Sequence, residues 1–195
     1  ANLECLIYML ENGNKGSAIL FHSAAKNGHL ERIIYLHENG HKWNLIYIRG
    51  VPRSLECIMY LHENGCPWNV NTFDGLALHG NLEYMTYLHE NGCPWNPYAI
   101  SNRAYKGDIE SMIYLRENGC PWNAEACNRA AYGSLDCLIY LHENGCPWNK
   151  KAYSGAAEGG NLEQLIYLHE NGCPWDVTAY IIAARFGRLE FLIYL

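Results

Sequence analysis

The decapeptide YLHENGCPWN fills residues 60–69 and is the most repeated segment of the chain. It returns unchanged at 87–96 and 140–149, and with one substitution each at 114–123 (Arg116 for His) and 167–176 (Asp176 for Asn). A looser copy, YLHENGHKWN, lies at 35–44. The glycine of Glu-Asn-Gly recurs every 25 to 27 residues, so the sequence predicts about seven copies of one small structural unit.

Residues 81–107 show how such a unit is built. Asn81 is a good helix N-cap, and Leu82, Met85 and Leu88 fall on one face of a helix of about ten residues, which we name the second helix. Glycine and then proline end this helix, and Asn-Pro begins the next one, which we name the first helix. The N-cap place of other second helices holds Ser54, Asp108, Ser134 and Asn161.

The inward places of the first helices are rich in alanine, which lets neighbouring helices approach closely. Ala99 and Ala104 are examples, and Arg103 is an outlier whose long side chain we expect to reach outward to solvent. Helices of this length are marginal alone, so the units are predicted to stabilise one another by stacking.

The decapeptide itself is therefore interpreted as a structural element that maintains the fold. Its glycine caps the second helix, and its tryptophan covers the gap between adjacent units. Its histidine is favourable at the negative end of the helix dipole, and a pH switch is the alternative. Its tyrosine is predicted to pack between second helices with the hydroxyl in water, and an outer aromatic stripe that binds a ligand is the alternative. The predicted structural residues are Gly65, Trp68, Gly92, Trp95, Gly119, Trp122, Gly145, Trp148, Gly172 and Trp175.

Two segments, AAKNGHLERIIYLHENG at 24–40 and AARFGRLEFLIYL at 183–195, resemble the ankyrin repeat. The resemblance extends over residues 1–195 and implies a single all-α array, an α-solenoid of stacked helix-turn-helix repeats that binds proteins without catalysis. Typical ankyrin units have 33 residues, and the missing six fall where that family carries its β-hairpin fingers. The Gly-Cys-Pro-Trp form is similar to short ankyrin-type repeats of large DNA viruses, amoebae, algae and oomycetes.

Net charge and the length of apolar runs limit the classes of partner that the sequence predicts. A formal charge of −6 and scattered basic residues argue against a nucleic-acid surface, and no apolar run is long enough for a membrane helix. Nine cysteines that follow the repeat suggest free thiols in a reducing, cytoplasmic setting, with association with a virion as a further expectation. Because both ends fall inside a unit, we expect the chain to be a piece of a longer array.

A metal-binding or catalytic role is the alternative interpretation of the repeat. Cys66, Cys93, Cys120, Cys146 and Cys173 could form a metal array with the decapeptide histidines. Zinc needs four close ligands, whereas each unit offers one His and one Cys, so buried thiols are favoured for these and for Cys5, Cys57, Cys127 and Cys137. No nucleophile–base pair or phosphate loop is present, so we expect no enzyme, no cofactor and no small-molecule substrate.

Residues that differ between units are the candidates for binding a partner. In the first helices they occupy the side away from the alanines, and the central group is rich in Tyr, Arg and Asn, which are common at binding surfaces. The predicted partner-binding residues are Tyr98, Ser101, Asn102, Tyr105, Lys106, Asn128, Arg129 and Tyr132. The corresponding places in later units include Lys151, Ser154, Glu158, Thr178, Ile181, Ile182, Arg185 and Phe186.

The sequence thus predicts a non-catalytic scaffold that binds a protein along its first-helix face. Two alternatives stay open, a structural role that cements a larger assembly such as a viral particle, and the Cys/His metal array. Residues 45–54, with Pro52, and the connector 13–17 depart from the repeat, so local irregularity is expected there.

Overall fold

Helices form the regular secondary structure of the computed structural model, which describes residues 3–13, 17–42, 54–68, 73, 82–95 and 98–195. No strand occurs within these ranges, so the predicted all-α class is confirmed for them. They belong to two larger units, Ala1–Pro94 and Trp95–Leu195, each of which holds several of the predicted repeats. The prediction of one array over 1–195 stays a prediction.

The unit Ala1–Pro94 contains helices that begin mostly at the repeated Leu-Glu. They are α1 (Leu3–Glu11), α2 (Ser17–Lys26), α3 (Leu30–Glu38), α4 (Leu55–Glu63) and α5 (Leu82–Glu90). Leucine, isoleucine and phenylalanine side chains of α1 to α4 make one core, in which Ile33 and Leu36 have no exposed surface. In α3 these two residues occupy the places of Met85 and Leu88, which the period predicts as inward, whereas Ile34 at the place of Thr86 is only half-buried.

The unit Trp95–Leu195 alternates first and second helices. Its first helices are α6 (Tyr98–Lys106), α8 (Ala124–Gly133), α10 (Lys151–Gly159) and α12 (Val177–Arg185), and its second helices are α7 (Ile109–Glu117), α9 (Leu135–Glu143), α11 (Leu162–Glu170) and α13 (Leu189–Tyr194). Each first helix packs on the next first helix and on its own second helix. Alanine lines these contacts, and Ala99, Ala126, Ala130 and Ala152 are fully buried.

The predicted helix ends are largely confirmed. The side chains of Ser54, Asp108 and Ser134 accept backbone N–H bonds at the starts of α4, α7 and α9. The predicted cap at Asn161 is wrong in one respect, since its side chain accepts no such bond and instead donates to the Tyr132 carbonyl oxygen at 2.9 Å. Asn81, Asn96 and Pro97 lie outside the described residues.

The repeated glycine ends each second helix in the left-handed region. The backbone φ values of Gly65, Gly92, Gly119, Gly145 and Gly172 lie between 74° and 83°. At α9, the N–H of Cys146 bonds the Leu141 carbonyl at 2.9 Å and that of Gly145 bonds the His142 carbonyl at 3.0 Å, the Schellman pattern. A side chain at these glycines would strain the turn, which explains why the residue recurs.

The expectation that Arg103 reaches solvent is wrong. Its side chain is 3% exposed, and Nη1 lies 2.9 Å from Oδ2 of Asp108. Burial alone would raise the pKa of Asp108, but hydrogen bonds from Ser111 and Arg103 outweigh it and hold the pKa below its usual value. The cap of α7 therefore also neutralises a buried cation, which makes the inward orientation tolerable.

The two irregular segments fall mainly outside the described part of the chain. Of residues 45–54 only Ser54 is described, and residues 14–16 of the connector 13–17 are not. The expected irregularity at both places therefore stays a prediction.

Candidate functional site

The first helices of the unit Trp95–Leu195 approach one another closely through glycine. A methyl group built on Gly155 of α10 would overlap the carbonyl oxygen of Asn128 on α8, and one on Gly159 would overlap that of Tyr132. From the first contact to the second, the residue number rises by four on both helices, so α8 and α10 run in the same direction and in register. Gly133 of α8 meets the Tyr105 carbonyl on α6 in the same manner.

An open groove of about 760 Å³ lies along this layer of first helices. The lining residues come from α6, α8, α10 and α12 and from the residue before α10. They are Tyr105, Glu125, Asn128, Arg129, Tyr132, Lys150, Lys151, Ser154, Gly155, Glu158, Thr178 and Ile182. Because Gly155 carries no side chain, the groove keeps its depth where α8 and α10 meet.

Two stacked tyrosines form one wall of the groove. The rings of Tyr105 and Tyr132 have centroids 5.1 Å apart and planes 27° apart, and both side chains are exposed. The guanidinium of Arg129 lies 6.0 Å from the Tyr105 ring, and its Nε lies 3.1 Å from Oε1 of Glu125. Rigid aromatic surface beside an arginine is typical of protein-binding sites.

A basic rim lies where α10 and α12 begin. Lys150 Nζ is 2.7 Å from Oδ2 of Asp176, the N-cap of α12, and Lys151 beside it is exposed. Hydrogen bonds from Lys150 and Thr178 lower the pKa of Asp176 to about 2. The carboxylate is therefore ionised throughout the physiological range.

Four of the eight predicted partner-binding residues line the groove, namely Tyr105, Asn128, Arg129 and Tyr132. Tyr98, Asn102 and Lys106 lie on α6 outside the lining; the first and last are exposed and Asn102 is half-buried. Ser101 is fully buried, and Asn128 is 9% exposed. The predicted surface is therefore wrong at Ser101, which the helices around it cover, whereas Asn128 is mostly buried but still lines the groove.

Eight of the twelve lining residues lie outside the predicted set. Lys151, Ser154, Glu158, Thr178 and Ile182 occupy the same variable places in the next two units, so continuing the pattern along the chain finds them. The pattern does not find Lys150, because this residue precedes its helix. It does not find Gly155 either, because the role of this glycine is to leave space between α8 and α10.

The repeated histidine, tyrosine and tryptophan connect neighbouring repeats instead of lining the groove. Histidine Nδ1 lies within hydrogen-bond distance of the next tyrosine hydroxyl in three pairs, His37–Tyr60 at 2.9 Å, His62–Tyr87 at 3.2 Å and His142–Tyr167 at 2.8 Å. At these three tyrosines the expectation of a hydroxyl in water is therefore incomplete, because each hydroxyl also has a histidine partner. The predicted sideways packing of the half-buried tyrosine is confirmed by these contacts.

The connector tryptophan packs on the same histidine. The rings of His142 and Trp148 stack at 3.8 Å, and in the variant copy the guanidinium of Arg116 lies 4.1 Å over Trp122. Both arrangements place the tryptophan against the last turn of the second helix. The predicted cover of the gap between adjacent repeats stays a prediction. Trp175 is the most exposed of the five predicted tryptophans, at 40%.

The cysteines are mostly buried thiols, as expected. Cys146 and Cys173 donate to the carbonyl oxygens of Asn123 and Asn149, at 3.5 and 3.6 Å. Burial raises the pKa of Cys66 to about 11 and that of Cys173 to about 12. Cys5 is exposed, so the expectation of burial is wrong there.

Two properties of the described residues bear on the alternatives. Among them, no three His, Cys, Asp or Glu side chains come together as a metal site requires. None of the helices in these ranges has the length and apolar character needed to span a bilayer.

Comparison with known proteins gives no assignment. The chain matches no protein-family model and no curated protein.

Proposed function

We propose that this protein is a non-catalytic scaffold that binds a partner protein along the first-helix face. In this proposal its helix pairs are ankyrin-type repeats without hairpin fingers, stacked as an α-solenoid. The observation that carries the proposal is the groove of the unit Trp95–Leu195, which lies over the places where the units differ. Repeated residues maintain the packing, whereas the variable ones meet solvent at this groove.

The chemistry of the groove supports recognition of a polypeptide. Tyr105 and Tyr132 offer rigid amphipathic surface that loses little conformational entropy on binding. Arg129, Glu125 and Ser154 supply donors and acceptors that a polypeptide backbone can use. The free thiols fit a reducing compartment such as the cytoplasm, or a virion assembled there.

The proposal is tested by affinity capture from the source cell or virion, followed by mass spectrometry. The bait is the whole protein, as wild type and as the variant Tyr105→Ala, Arg129→Ala, Tyr132→Ala. The matched control is Tyr8→Ala, Arg32→Ala, Tyr35→Ala, which removes the same side-chain types from the unit Ala1–Pro94. A protein captured by wild type and control but lost from the groove variant supports the proposal, and equal capture by all three overturns it.

A further inference from the structure

Charge is unevenly divided between the two helix layers of the unit Trp95–Leu195. The first helices carry five basic and two acidic residues, which are Arg103, Lys106, Arg129, Lys151 and Arg185 against Glu125 and Glu158. The second helices carry one basic and seven acidic residues, which are Arg116 against Glu110, Glu117, Asp136, Glu143, Glu163, Glu170 and Glu190. The layer that holds the groove is thus basic within a chain whose formal charge is −6.

Several of these cations are available to a ligand. Arg103 is not, since it is buried against Asp108. Lys106 and Lys151 are exposed and form no ion pair with any described residue. Arg129 and Lys150 make ion pairs with side chains that are 38% and 36% exposed, and such pairs are weak enough for a ligand carboxylate to replace.

The helix directions add to the basic character of one end of the groove. Lys150 at the start of α10 bonds Asp176 at the start of α12, and α8 runs parallel to α10, so the three helices begin at the same rim. The positive ends of their dipoles therefore lie beside Lys150 and Lys151. The acid Glu158 lies at the other end of α10, near Tyr132.

We propose that the groove binds an extended acidic segment of the partner protein, with carboxylates at the Lys150–Lys151 rim and apolar side chains against Tyr105 and Tyr132. This inference rests on the proposed function and names the chemistry of its ligand. Carboxylates on a peptide can meet separate cations and avoid Glu125 and Glu158. A nucleic-acid backbone has a phosphate at every step and would place charge against both acids.

The test is selection of random 12-residue peptides, displayed on phage, against the whole protein. Peptides enriched in Asp and Glu relative to the starting library are expected. Their affinity is then measured by fluorescence polarisation with the double variant Lys150→Gln, Lys151→Gln and the control Lys26→Gln, Lys42→Gln. The two double variants change the net charge equally, and all four lysines are exposed.

We expect about a tenfold loss of affinity in the first double variant and less than about a twofold change in the control. Enriched peptides that are neutral or basic, but are lost with Tyr105→Ala and Tyr132→Ala, would overturn the acidic ligand and leave the proposed function standing. Enrichment of no peptide would count against both. Tighter binding of a labelled 20-nucleotide oligothymidine than of the acidic peptides, with the same loss in the first double variant, would overturn a protein ligand.

Discussion

The backbone of α10 at Gly155 lies directly against the carbonyl oxygen of Asn128 on α8. A hydrogen atom fits at that contact, whereas a methyl group does not. Gly159 and Tyr132 repeat the relationship one turn further on. The spacing of the two helices, and with it the floor of the groove, is therefore set by glycines.

Gly155→Ala is expected to destabilise the protein, although alanine is the better helix former by about 1 kcal/mol. The added methyl group must displace the backbone of α8, and overpacking of this kind costs about 1–3 kcal/mol. Urea unfolding followed by circular dichroism measures the change. Ser154→Ala, on the neighbouring half-buried residue, is the control and should change stability by less than about 0.5 kcal/mol. Equal stability of the Gly155 variant and wild type would contradict the close approach.

Tyr153→Phe is expected to stabilise the protein by about 1 kcal/mol. The side chain is fully buried, and its hydroxyl finds no hydrogen-bond partner among the described residues. Burial raises the pKa of this hydroxyl to about 12. Removing the oxygen removes an uncompensated desolvation cost and keeps the ring beside Trp175, at a centroid distance of 6.3 Å. Tyr180→Phe, on a half-buried ring, serves for comparison, and a loss of stability in Tyr153→Phe would disprove the argument.

Asp108→Asn is expected to lower stability by about 2 kcal/mol near neutral pH, because it leaves the Arg103 cation buried without its carboxylate. The pKa of Asp108 is depressed in the fold, so its contribution is complete above its usual value of about 3.9 and is lost as pH falls below it. The difference between variant and wild type should therefore shrink from pH 5 to pH 3. Asp136→Asn, at an exposed carboxylate, is the control. A difference that stays constant with pH would show that the charge of Asp108 contributes nothing.

His142→Arg is expected to be tolerated, whereas His142→Ala should cost about 1–2 kcal/mol. Arginine occupies the equivalent place at Arg116 and packs over Trp122, so it can take the position over Trp148. Alanine removes both the stacking and the hydrogen bond to Tyr167. Thermal unfolding of the two variants distinguishes these effects. Equal melting temperatures would show that the histidine contributes no packing.

Cys5 is expected to react first with iodoacetamide in the folded protein. It is exposed, whereas the other eight cysteines are buried. The raised pKa values of Cys66 and Cys173 keep these thiols protonated and slow at pH 8. Peptide mass spectrometry after timed alkylation, native and in urea, measures each site. Rapid native modification of Cys173 would contradict its burial.

Local features of the fold could be predicted from the sequence because they depend on short-range chemistry. Positive φ at Gly145 follows from its place after a helix, and the bond to Ser134 follows from a serine before an amphipathic run. Burial of Leu138 and Leu141 follows from the helical period. These elements recur in each unit, so one correct interpretation applies to many places.

Features that join different helices were harder to predict. The length of the Arg103 side chain predicts that it reaches water, but its partner Asp108, at the start of the next helix, holds it inside. Ser101 and Asn128 differ between units yet are buried, since the small residues around them bring the neighbouring helices close. Variation between repeats therefore marks residues that are free to change, and only some of those are exposed.

The link between His142 and Tyr167 has a consequence for how freely the sequence can vary at this place. A phenolic hydroxyl can donate to a bare imidazole nitrogen or accept from an imidazole N–H, so the 2.8 Å contact forms with either tautomer of the ring. The face of Trp148 takes a flat aromatic ring, as that of Trp122 takes the guanidinium of Arg116. One residue can therefore replace another at this place while the neighbouring helix pairs stay joined.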